Sequence, residues 1–231
     1  MLFPGRAPER LDSRVEGPRR GPFGDDGDMD PMTNQAFLEA HGAPARVGLA
    51  GGTAFPDRAI RRLQRPLRPG GERSAWSHAF LFMGRREDGH LWVLESDLDA
   101  SRRHIRLGVQ ENRADKYFDE KAYPNLAILD FGLEAEATRV VLTAALDLLA
   151  QRTTYALREL VGTLLALHRP SLRARENLLA REGALYCSAL VQHCYAAAGL
   201  GFQPGVAVKN ITPEDIAATP LPHTRHLHLR R

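Results

Sequence analysis

The chain has 231 residues, 43% of them hydrophobic and 26% charged, a profile that argues against a disordered or membrane-spanning protein. Its 31 Lys and Arg against 28 Asp and Glu leave a formal charge of only +3, and no basic patch interleaved with aromatics points to nucleic acid. No apolar run approaches the roughly 18 residues of a membrane helix, and "MLFPGRAPERLDSR" lacks the apolar stretch of a secretory signal. The expectation is a cytoplasmic protein, with export by a dedicated secretion machine as the alternative.

Residues 1–34, rich in Pro, Gly and mixed charge, read as a mobile tail ahead of one domain over 35–231. The acids Asp25, Asp26, Asp28 and Asp30 lack the glycine and closing Glu of a calcium loop and read as a solvated stretch. The folded region begins near Thr33. "NQAFLEAHG" predicts a helix ending at Gly42, "ARVGLAGG" a strand running into a glycine turn, and "DRAIRRLQRPLR" a helix stopped at Pro66. "AWSHAFLFMG" (75–84) and "LWVLES" are strands joined by the turn signal "GRREDGH", a hairpin. "HIRLGV" and "LAILDF" are further short strands.

A helical block follows. "EAEATRVVLTAALDLLAQR" (134–152) has acids at its start and Arg at its end, as the helix dipole favours. "YALRELVGTLLALH" is a second helix, and "SLRARENLLARE" (171–182) a third, with Ser171 as cap. "CSALVQHCYAAAGLG" reads as an apolar helix closed by Gly199 and Gly201. "NITPEDIAATPL" is a turn and short helix, and "HTRHLHLRR" a final strand or tail. The total is an α+β pattern, a small, mostly antiparallel sheet with helices packed on it.

The two cysteines, Cys187 and Cys194, are two turns apart on one predicted helix, ~10 Å at 1.5 Å per residue. That is too far for a disulfide, so both read as free thiols. Cys194 is mid-helix on an apolar stripe and reads as a packing residue. Cys187 lies in the first turn, where unpaired N–H groups and the helix dipole favour a thiolate.

A nucleophile needs a base, and the base an orienting group. The hairpin supplies both. With a four-residue loop, Arg85–Asp88 or Arg86–Gly89, His78 lies opposite or diagonal to Glu95 on one face of the sheet. A three- or five-residue loop would send Glu95 to the other face. Each residue also has a plainer reading: His78 as a strand histidine packed among Trp76, Phe80 and Phe82, Glu95 as an exposed strand-end acid. His223, His226 and His228 at the C-terminus read as an edge strand rather than a metal tract, and His193 as a solvated helix residue.

"WSHAFLFMG", "LWVLESD", "LYCSALVQHCYAAAGL" and "ITPEDIAATPL" together resemble the circularly permuted branch of the papain-like, NlpC-type cysteine hydrolases, related to the lecithin–retinol acyltransferases. The resemblance covers about residues 45–222 and implies a permuted papain-like fold. It matches His78 to the family base, Glu95 to its acid and Cys187 to its nucleophile. "TTYALRELVG" also resembles a family segment in which a Tyr is usual. Two positions depart from the pattern. "ARVGLAGGTAF" lacks the acid of the usual Gly-Asp pair at the first strand, and Ala189 stands where an acid often follows Cys-Ser.

The resemblance implies a thiol-dependent amidase or peptidase working through an acyl-enzyme, with no cofactor or metal required. A lipid ester hydrolase or acyltransferase using the same residues is the second reading. There the Leu- and Arg-rich segment 157–182 is a candidate lid or peripheral membrane contact. A catalytically inactive binding module of the same fold is the third. The expected partner is a peptide, amide or lipid substrate.

Overall fold

The computed structural model describes residues 32–97, 108–151, 162–164, 167, 170–173 and 185–230. The expected tail therefore lies outside the described residues, except that Thr33 and Asn34 belong to the first helix. Helix α1 spans Asn34–His41, and its Thr33 cap accepts from Ala36 N at 3.1 Å. The fold is α+β, with a six-stranded open sheet. Its strands are β1 (Val47–Gly51), β2 (His78–Arg85), β3 (Leu91–Asp97), β4 (Gly108–Arg113), β5 (Asn125–Asp130) and β6 (Thr224–Leu229). They lie in the order β4-β3-β2-β1-β5-β6, and every pairing is antiparallel. Helices α2 (Phe55–Leu63), α3 (Ala135–Ala150), α4 (Pro170–Arg173), α5 (Cys187–Ala197) and α6 (Pro213–Ala217) complete the described elements, with short 310 turns such as Ala114–Phe118. No described helix is long and apolar enough to cross a membrane.

Period-two alternation divides the core between the two faces of the sheet. Val47, Leu49, Ala79, Leu81, Leu94, Ala127 and Leu129 pack in one cluster with α3 and α5 side chains such as Val141, Leu148, Leu190 and Cys194. Ala50, Phe80, Phe82, Val93, Leu126 and Ile128 form the other with Phe37 and Leu38 of α1 and with Tyr117. β1 is buried along its whole length because β2 and β5 flank it.

Several boundaries differ from expectation. β4 continues through the polar run Gln110–Arg113, because an edge strand is held by its ladder to β3 and needs no alternating apolar pattern. Residues 104–107 of the expected strand lie outside the described residues. α4 starts at Pro170, one residue before the expected Ser171 cap, as suits proline in a first helical turn. The remainder of that helix lies outside the described residues, as do most of the helix expected over 155–168, the Tyr of "TTYALRELVG" and most of segment 157–182. His223 precedes β6, which carries His226 and His228 as the edge strand.

The hairpin corrects the loop expectation. Arg86 N donates to His90 O at 3.1 Å, so the loop is Glu87–Gly89, three residues, with Gly89 at φ +77° closing the turn. That loop alone would place Glu95 on the opposite face from His78. A β-bulge at Met83 intervenes: Arg85 pairs with Leu91 and Gly84 with Trp92, but Phe82 pairs with Val93 and Leu81 with Leu94. The extra residue reverses the parity. Continued one step, the register sets Phe80 opposite Glu95 and returns Glu95 to the His78 face, diagonal to it.

Gly84 makes the bulge affordable. Its φ is +102°, and a Cβ there would lie 2.9 Å from Pro44 Cγ. Gly84→Ala is expected to lower unfolding free energy by about 1–3 kcal/mol, measured by urea denaturation. A midpoint equal to wild type would refute this account of the bulge.

Candidate active site

The site is built from the N-terminal end of β2, the middle of β3 and the first turn of α5. His78 opens β2, and its ring stacks on Phe80 and Tyr117 at centroid distances of 6.2 and 6.4 Å. Its Nε2 is 2.8 Å from Glu95 Oε2. Cys187, the first residue of α5, lies near enough to the same ring for its charge to act on it. Because Nε2 is engaged by Glu95, Nδ1 is the nitrogen left for sulfur. The structure therefore brings together all three residues singled out in the sequence. Cys187 belongs to the α5 cluster and His78 to the Phe80 side, so the pair forms where the two halves of the core meet.

Glu95 is fully buried, yet all its acceptor directions are used. Oε2 takes His78 Nε2 and the Tyr117 hydroxyl (2.5 Å); Oε1 takes Asn112 Nδ2 (2.7 Å) and Lys116 Nζ (2.5 Å). Burial opposes its charge, but the Lys116 ammonium and the His78 contact prevail and hold the carboxyl well below its usual range. Lys116 also contacts Asp97 Oδ2 at 2.7 Å. Burial works against that ammonium, and the charges of Glu95 and Asp97 hold its pKa above the ordinary lysine value. Tyr117 is pushed well up by burial and by the Glu95 charge, so its phenol remains a donor.

For His78, burial works against protonation. The electrostatic interaction with Cys187 and the hydrogen bond and charge of Glu95 outweigh it and push the imidazole up to about 10. The arrangement favours an imidazolium beside the Glu95 carboxylate. The His78 side chain keeps 14% of its surface exposed, whereas Cys187 is buried. Cys194 differs: burial pushes its thiol up to about 12, and it is a core residue. His193 is exposed.

The nucleophile's position is set by residues that sequence reasoning did not assign. Ser96, beside Glu95 but facing the other side of β3, donates to Leu185 O at 2.7 Å. Tyr186 and Ser188 flank Cys187, and both donate to Ile211 O, at 2.8 and 2.7 Å. "LYCSA" and "ITPED" are thus one hydrogen-bonded unit. Thr212 caps α6 in a capping box with Asp215, keeping Ile211 in place. No side chain caps α5. Its first i→i−4 bond is Leu190 N to Tyr186 O, so the N–H groups of residues 187–189 lack intrahelical acceptors and lie beside the sulfur.

Asn112, Lys116 and Tyr117 were also missed. "NRADKY" places an Asn, a Lys and a Tyr close together, but nothing in it marks β3 as their neighbour. In "ARVGLAGGTAF", backbone packing leaves no room for a side chain at Gly51, while Gly52 meets only the end of a flexible side chain. A Cβ on Gly51 would lie 1.9 Å from Ala75 O, and one on Gly52 would lie 2.2 Å from Asp57 Oδ2. The acid nearest Gly52 is thus supplied by α2. Ala189 is fully buried.

No protein-family model matches the chain, and no curated protein matches it significantly. Among solved structures, the metalloprotein YiiX from Escherichia coli O157:H7, DUF1105, is similar. The match covers 80% of this chain and 97% of that one, at 13% identity and a TM-score of 0.49. At that level of likeness neither fold nor function transfers. Among the described residues, no group of three or more His, Cys, Asp or Glu side chains stands where it could hold a metal ion.

Removing the cation from Glu95 tests the electrostatic account. Lys116→Met is expected to cost about 3–5 kcal/mol by leaving a buried carboxylate without its counter-charge. Because the Glu95 pKa is lowered in the folded protein, its stabilisation is present above the unfolded value and lost as pH falls. Lys116→Met should therefore flatten the acid side of the stability curve. An unchanged curve in pH-dependent melts would contradict the assignment.

Proposed function

We propose that this chain is a thiol-dependent hydrolase acting through Cys187, His78 and Glu95 by way of an acyl-enzyme. One observation carries the reading. The His78 ring is bonded to a buried, ionised Glu95 and lies within electrostatic reach of a cysteine at an uncapped helix N-terminus. That is the nucleophile–base–orienter arrangement of covalent catalysis. The resemblance to permuted papain-like amidases and peptidases agrees with it.

The steps follow from the geometry. His78 takes the thiol proton and holds the sulfur as a thiolate. Sulfur attacks a substrate carbonyl, the S–C bond forms, and the carbonyl electron pair moves to oxygen. N–H groups of the first turn of α5 receive that oxyanion. The tetrahedral adduct collapses, and the amine or alcohol departs with the proton from His78. Water, deprotonated by His78, then attacks the thioester and sulfur leaves. Glu95 keeps Nε2 protonated and the ring oriented; it accepts no proton. Amide and ester donors both give this acyl-enzyme.

Iodoacetamide labelling, with the sites read by mass spectrometry, tests the reading. Cys187 is expected to react far faster than Cys194, and His78→Ala to slow it on the order of 10²–10⁴-fold. Cys187→Ala should abolish hydrolysis of a panel of aminocoumarin amides and nitrophenyl esters, and Glu95→Gln should lower kcat with little change in KM. Cys187 labelling that is indifferent to His78→Ala would sink the proposal. The pH profile is a separate check. Since His78 is raised to about 10, the leaving-group acid persists through neutrality, and kcat/KM for amides should fall only near that pH. An alkaline limb near pH 7 would contradict it.

A further inference from the structure

Helix α2 presents to solvent a face that the proposed chemistry does not use. Its inner side carries Ile60 and Gln64, both buried, and Arg61, whose Nε donates to Ser74 O at 2.9 Å. Its outer stripe, spaced i, i+3, i+4, i+7, i+8, is Phe55, Arg58, Ala59, Arg62 and Leu63. Phe55 is 80% exposed and Leu63 38%. An aromatic and a leucine left in water on a stripe of arginines form an amphipathic surface that nothing in the described fold covers.

The charge around this stripe is mostly of one sign. Residues 55–73 hold six arginines against Asp57 and Glu72. Arg61 is held inward, and Arg68 is paired with Glu214 and Glu72. Arg58, Arg62, Arg65 and Arg73 are exposed. The loop before α2 is tied to the strand start that carries His78. Gly52 N is 3.0 Å from Ser77 Oγ, next to His78, and Phe55 follows three residues later, within about 11 Å along the chain.

We propose that this face of α2 docks the protein on an anionic lipid bilayer. Phe55 and Leu63 enter the headgroup–acyl boundary, and the exposed arginines pair with lipid phosphates. An acidic polymer would satisfy the arginines but offer Phe55 no apolar phase, so the bilayer is the occupant that uses the whole stripe. The inference goes beyond the hydrolase reading and does not depend on it, since docking is measured without turnover.

The full chain is sedimented with phosphatidylcholine vesicles, and with vesicles that also hold about 30 mol% phosphatidylglycerol. Binding is expected only to the anionic vesicles and should weaken with added salt. Arg58→Glu with Arg62→Glu should reduce the bound fraction at least tenfold. Phe55→Ser, which leaves the charge intact, should reduce it several-fold. Phe55→Trp should show a blue-shifted emission on anionic vesicles, and circular dichroism melts verify that each variant is folded. Absence of wild-type binding to anionic vesicles would overturn the proposal, as would binding unchanged by the α2 substitutions. Arginine-dependent binding to heparin and to vesicles alike, indifferent to Phe55→Ser, would assign the surface to an acidic polymer and overturn it as well.

Discussion

A buried carboxylate governs the layout of this molecule. An ionised Glu95 with no solvent contact costs several kcal/mol in desolvation unless charge and hydrogen bonds offset it. Four donors do so, from three places: His78 from β2, Asn112 from β4, and Lys116 and Tyr117 from the 310 turn that follows β4. The carboxylate thus ties together three strands and a turn. It also fixes the His78 ring, since Nε2 has one well-placed acceptor. The same bonds that make the buried charge tolerable leave Nδ1 as the ring nitrogen not bonded to Glu95.

The adjacent residue organises the other half of the site. Successive side chains of a strand face opposite sides, so Ser96 points away from Glu95 and holds Leu185 O, just before the nucleophile helix. Tyr186 and Ser188 then fasten the start of α5 to Ile211. Two consecutive residues of β3 therefore control the base on one side of the sheet and the approach of the nucleophile on the other. The distance between Cys187 and His78 is set by these ties rather than by direct sequence proximity.

This division explains what could be read from the sequence. The three candidate residues were legible because each carries a local signal: a histidine and an acid on matched strands, and a cysteine opening an apolar helix. The antiparallel sheet was legible from turn chemistry and alternation. The hairpin parity was not. An odd loop and a one-residue bulge cancel, and only Gly84 marked the bulge, since a strand glycine is ambiguous without its φ. The partners of Glu95 were equally hidden, because β4 is a polar edge strand whose pairing with β3 leaves no periodic signature. The tie from "LYCSA" to "ITPED" was visible only as two separate motifs.

The site's charges also limit the pH range in which it is complete. Glu95 is lowered on folding, so its contribution is full above the ordinary carboxyl value of about 4.5 and fades as acid protonates it. His78 is raised, so its contribution is full below the ordinary imidazole value of about 6.5 and disappears as pH rises through about 10. The two overlap without loss only between those ordinary values. Over most of the remaining neutral range the imidazolium persists at a declining advantage. Each charge in the row sustains the next: Lys116 keeps Glu95 ionised, and Glu95 favours protonated His78. Both ends of the row are buried, Lys116 as well as Cys187. Acid adds a proton to Glu95 and alkali removes one from His78, so titration in either direction breaks the row at residues the proposed chemistry uses.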